Sequence, residues 1–142
     1  MRADRVLKPN SIKTYKDLIV WQEAMALAEK VHDVTSKYPN HELYGLTAHT
    51  RKSAISGPSN IAEGFARHSN LDFIRFLRIS QGSINELLTQ LELGFRFKYL
   101  SEPDLRQLES DGERLLKKLS SLIGKLNVSN TANREKISCE EV

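Results

Sequence analysis

Cysteine is almost absent from this chain, with Cys139 the single example. A lone thiol closes no disulfide within the chain, which fits a reducing compartment and an expected cytoplasmic location. Long hydrophobic runs are missing too. No apolar stretch approaches the roughly 18 residues of a membrane span, and the opening Met-Arg-Ala-Asp-Arg leads into no apolar signal segment. No membrane partner is expected. Strand-like alternation of apolar and polar residues is absent, as is any internal repeat, which leaves an all-α chain. No glycine-rich phosphate loop follows a strand. Aromatic residues make up only 7%, and none is expected to interleave with the basic residues of helices three and four in the manner of a single-strand stacking platform.

Catalytic and metal signatures are equally sparse. His41, His49 and His68 have no repeating ligand spacing. Glu29-Lys30-Val31-His32 has the Glu-x-x-His spacing of di-iron bundles, but such sites need a second copy and two further carboxylates. His32 is expected to pack in the core beside Trp21 and Met25. Cys139 has no histidine near it in sequence to activate it. No catalytic residue, metal or cofactor is expected.

What is present suits one domain. The 142 residues, 16.2 kDa, can bury a core without staples. The formal net charge is +3, mildly basic and compatible with a nucleic-acid partner. Residues 1–16 form a basic arm, with Arg2, Arg5, Lys8, Lys13 and Lys16 set against Asp4 alone. Residues 17–128 carry four helices, and 129–142 have too little apolar content to stay ordered.

Helix one is expected from Asp17 to Tyr38, with Val20, Trp21, Ala24, Met25, Ala28, Val31, His32 and Thr35 on one side. Tyr38-Pro39 ends it. Helix two starts near His41 and points Leu43, Leu46, Thr50, Ser53, Ala54, Gly57 and Ile61 one way. Helix three starts at the Ser69 cap, three residues before Asp72, and runs to Tyr99. Helix four follows the Ser101 cap, and Leu105, Leu108, Gly112, Leu115, Leu119, Leu122 and Leu126 step along it by threes and fours. That is the seam of a left-handed bundle.

Helix two carries an odd stretch, Gly57-Pro58-Ser59-Asn60-Ile61-Ala62-Glu63-Gly64. Pro58 removes a donor and crowds the Ala54 carbonyl, so a kink or local unwinding is expected there. Small residues around it permit close approach of another helix. Asn60 is placed to hydrogen-bond a freed carbonyl, and Glu63 to pair with Arg67 one turn on.

These residues also carry a resemblance. Tyr15-Lys16-Asp17-Leu18-Ile19-Val20-Trp21-Gln22, Glu42-Leu43-Tyr44-Gly45-Leu46, Arg51-Lys52-Ser53-Ala54-Ile55-Ser56 and Ser59-Asn60-Ile61-Ala62-Glu63-Gly64 follow in order. Phe73, Phe76, Leu77, Gly82-Ser83, Glu86-Leu87 and Gln90-Leu91 continue the pattern. Over about residues 15–126 the chain resembles the four-helix-bundle proteins encoded in 23S rRNA intervening sequences. Gly57 departs from it, since a bulkier aliphatic residue is commoner there. The resemblance implies an antiparallel up-down four-helix bundle assembled as a ring-like homopentamer. The accessory variability proteins of diversity-generating retroelements are similar to this family. They act with a reverse transcriptase and bind nucleic acid, which makes RNA, DNA, a reverse transcriptase or another protein the implied partners. The family supplies no catalytic residues to carry over.

Two surface features remain. Ile79, Leu93 and Phe97 form a second apolar row on helix three, and Tyr44, Ile55 and Ala62 a comparable one on helix two. Either these rows contact another subunit, or helix three is buried on two sides within one chain. Arg75, Arg78 and Arg96 line a further side of helix three, and Arg114, Lys117, Lys118 and Lys125 a side of helix four. They are candidate phosphate contacts, or ordinary solvated charges. Two functions stand open: a nucleic-acid-binding accessory factor, and an oligomeric scaffold for other proteins.

Overall fold

The computed structural model describes residues 12–134, with side chains through Val128. Arg2, Arg5, Lys8 and Cys139 lie outside the described residues. Among those described, four α-helices and two short 3-10 turns make up the regular structure, with no strand.

The chain enters through a turn rather than a helix. A 3-10 turn, Tyr15–Asp17, is closed by a capping box in which Thr14 accepts from the Lys16 amide and Asp17 accepts from the Thr14 amide at 3.0 Å. Ile12 and Tyr15 pack against the core, so the boundary drawn at residue 16 falls inside the fold. Leu18 is extended, and α1 runs Ile19–Thr35. Its buried side is Val20, Ala24, Leu27, Val31 and Thr35. The expected face was rotated: Trp21 is half-buried, and Met25 and His32 are exposed. Apolar residues occur on two adjacent sides of α1, and the one centred on Leu27 faces the bundle.

A second 3-10 turn, Asn40–Glu42, and an irregular Gly45 (φ −111°, ψ −113°) delay the next helix, so α2 is Leu46–Phe65. Glu42 holds its start, accepting from the Leu46 amide at 3.0 Å. From α2, Arg51 donates to the Thr35 hydroxyl at 2.8 Å and the His32 carbonyl at 3.2 Å, tying the end of α1 to it.

Pro58 does not interrupt α2, which is helical on both sides of it. Asn60 Nδ2 donates to the Ser56 carbonyl at 2.9 Å, one turn back, rather than to Ala54. Ser80 donates to the Gly57 carbonyl at 2.9 Å from α3. Glu63 does pair with Arg67, at 2.8 Å.

The α3 helix spans Asn70–Arg96, with Ser69 accepting from the Asp72 amide. It stops three residues before the expected Tyr99. Lys98 adopts φ 70°, and the Tyr99 amide donates back to the Gly94 carbonyl at 2.8 Å, the hydrogen-bonding of a left-handed helix stop. The α4 helix spans Glu102–Arg134, with Ser101 accepting from the Asp104 amide. Its backbone thus continues six residues past 128, and the rest of the expected tail lies outside the described residues.

Helix α1 packs on α2 and α4, α2 packs on α3, and α3 packs on α4. Val31, Ile61, Phe73, Leu77, Leu91 and Leu119 are fully enclosed between them. Among the described residues no helix is long and apolar enough to cross a membrane.

Candidate interaction surfaces

The basic candidates do not form one surface. On α3, Arg75 is held by Asp72 at 3.0 Å and lies 4.5 Å over the Phe76 ring. Arg96 pairs with Glu92 at 3.0 Å. On α4, Arg114 reaches Asp111 at 3.0 Å and Glu23 of α1 at 3.6 Å, and Lys118 bonds Glu23. Arg78 and Lys117 are exposed, with no ion-pair partner among the described residues.

Arg114 and Lys118 belong to a charged seam between α1 and α4. At its centre Asp111 is 7% exposed and accepts from Lys30 at 2.7 Å, Arg114 at 3.0 Å and Gln107 at 3.0 Å. Burial pushes its carboxyl up, but the hydrogen bonds from Lys30 and Arg114 outweigh that and leave it below the usual carboxylate range. The seam ties α1 to α4, and its charges are largely spent within the chain.

The apolar candidates are exposed. Tyr44 is 91% exposed and Ile55 59%, while Ile79, Leu93 and Phe97 range from 39% to 51%. They occupy different places. Ile55 lines an open apolar groove of about 480 Å³ between α1 and α2, with Trp21, Met25, Ala28, Pro58 and Ala62. Tyr15 meets Trp21 edge-on at 5.3 Å at this groove. His32 stands exposed on its rim beside Glu29, not in the core. Ile79, Leu93 and Phe97 follow one another along a different side of α3. The motif residues Asn60 and Glu63 serve α2 itself, and Gly64 lies buried against α3.

One cluster was missed from sequence. Tyr99 packs against Tyr38 at 5.4 Å, His41 at 6.3 Å and Phe97 at 5.8 Å. Its hydroxyl donates to Glu42 at 2.9 Å. Glu42 is held below the usual carboxylate range by the Leu46 amide first and Tyr99 second, and the same bond raises Tyr99. The signal available was the short span Phe97-Lys98-Tyr99, aromatic on both sides of a cation.

Among the described residues, no three of His, Cys, Asp and Glu gather as metal ligands would.

Comparison with known proteins adds the following. Residues 16–121 match the family model for the 23S rRNA-intervening sequence protein. The fold is similar to a crystal structure from Bacteroides thetaiotaomicron VPI-5482, a protein with unknown function from the S23 ribosomal protein family. The TM-score is 0.69 at 24% identity, covering 74% of this chain and 98% of that chain. At that identity the likeness speaks for the fold alone. No curated protein matches the chain.

Proposed function

The chain belongs to the 23S rRNA-intervening sequence protein family, and from that premise we propose that it is a non-enzymatic, self-associating accessory protein that binds nucleic acid. The observation that carries this is the outer side of α3. There the exposed Ile79 and Leu93 lie next to the arginine row, in which Arg78 lacks a counter-ion among the described residues. Self-association covers such an apolar row. In a closed ring it also repeats each unpaired cation in register, raising the local field on phosphates.

The proposal takes the bundle as antiparallel and up-down, and the assembly as a homopentamer in the cytoplasm. Contacts that pair Lys30 with Asp111 and Glu23 with Lys118, and Gln81 with Ser120, support alternating helix directions. A reverse transcriptase is one protein partner, testable by co-purification. A second reading, a scaffold for other proteins without nucleic-acid affinity, draws on a specific finding. Arg75, Arg96, Arg114 and Lys118 are each neutralised within the chain.

Binding of a structured RNA and of a DNA duplex across a salt series, with light scattering on the same protein, separates the two. Retained affinity at physiological salt, falling linearly on a log–log plot, is expected, with Arg78→Glu reducing the slope. A stable oligomer whose binding vanishes well below physiological salt leaves the scaffold reading.

A further inference from the structure

We infer that the end of the bundle where the α3–α4 turn meets the segment between α1 and α2 is a binding site for unpaired, single-stranded nucleic acid. The inference rests on the nucleic-acid reading above and names its substrate class. It reassigns Phe97 from subunit contact to base contact.

Three observations converge here. The first is aromatic. Phe97, 51% exposed, leans on Tyr99, which is itself backed by Tyr38 and His41. Tyr44, two residues after the Glu42 that Tyr99 bonds, is 91% exposed. Phe97, held by Tyr99 and open on its outer side, loses little freedom when a base stacks on it.

The second is charge. Lys98, between the two aromatic residues, is exposed, with no partner among the described residues. Arg96 precedes it, held by Glu92. A phosphate backbone whose bases stack on Phe97 passes these cations. The acids of this end are largely engaged: Glu42 by Leu46 and Tyr99, Glu92 by Arg96, and Glu102 by Arg106.

The third is backbone strain. Lys98 sits at φ 70°, the only positive-φ non-glycine residue described. Glycine is the usual residue at this stop because it has no Cβ to crowd the carbonyl. A lysine there costs stability that glycine would not, and an outlier of this kind points to a use for its side chain. Tyr38 and His41 reach Tyr99 from a separate segment and meet it only in the fold.

The test uses the full chain with fluorescently labelled oligo(dT) and oligo(U) strands and a duplex of equal length, at physiological salt. Phe97→Ala is expected to weaken single-strand binding roughly tenfold or more while the oligomer mass stays unchanged. Lys98→Gly is the second variant. It is expected to melt at a higher temperature than the parent and still bind single strands several-fold more weakly, a pair of shifts that a purely structural lysine cannot give. Comparable loss with both strands assigns the site to unpaired bases in general, and loss with one alone to that strand's sugar and base together. If the parent binds and neither variant changes it, or if Phe97→Ala dissociates the oligomer, this site is wrong and the broader nucleic-acid reading survives. If the parent binds no strand and no duplex, both fail.

Discussion

A Cβ placed on Gly64 would lie 2.7 Å from the Cβ of Phe76 and 2.9 Å from the ring of Phe73. The last turn of α2 therefore rests directly on the first turns of α3, with no room for a methyl group. Gly57, two turns earlier in the same helix, differs. A Cβ there would meet Ile84 at 3.7 Å, an ordinary contact.

Gly64→Ala should accordingly destabilise the fold by about 1–3 kcal/mol, the range for overpacking a tight contact. Gly57→Ala should be neutral or stabilise by up to about 1 kcal/mol, because it removes the helix penalty of glycine. Urea denaturation of both variants checks the pair. Equal losses would show that α2 and α3 do not meet closely at Gly64.

The α1–α4 seam gives a prediction in acid. Asp111→Ala leaves Lys30 and Arg114 without their shared acceptor and should cost about 1–3 kcal/mol at neutral pH. The folded carboxyl titrates below its unfolded value of 3.8. Its contribution is therefore complete above that value and is lost as pH falls through the lower folded one. Thermal melts of parent and variant should converge in strong acid, and a constant gap down to the lowest pH would remove Asp111 as the cause.

Tyr38 behaves in the opposite sense. Its hydroxyl is buried against Gly94 with no hydrogen-bond partner, and burial pushes it up from 10.0 to about 12. The contribution of the neutral ring is fully present below its ordinary value and fades as pH rises from there to about 12. Removing an unsatisfied polar atom should help: Tyr38→Phe is expected to be neutral or to stabilise by up to about 1 kcal/mol. Ultraviolet titration should show the parent's last tyrosine ionising late and that step missing from the variant. A full complement of ordinary titrations in the parent would contradict the buried hydroxyl.

The existence and order of the helices were legible because α3 and α4 each present one dominant apolar stripe, and because Ser69 and Ser101 cap as their spacing suggests. The face of α1 was not legible. Val20, Ala24, Leu27 and Val31 form one row, and Trp21, Met25 and Ala28 a neighbouring one, so periodicity alone offers two answers. The charge surface was half legible. Asp72 with Arg75 and Glu92 with Arg96 sit at helical spacing that already announces their pairing, whereas Glu23 with Lys118 is settled only by how α1 meets α4. The aromatic end was legible only as the span Phe97-Lys98-Tyr99; its packing was not, since Tyr99 and His41 are 58 positions apart.

The groove between α1 and α2 contains the chain's single tryptophan, Trp21, half-buried and edge-on to Tyr15. Its emission is thus a built-in reporter for one face of the molecule. Anything that seats itself between Met25 and Ile55 excludes water from the indole and shifts its fluorescence to the blue. Contacts along Ile79 and Leu93, or at the Phe97 end, leave that colour unchanged. The protein's own light can tell which of its apolar faces is in use, with no label attached.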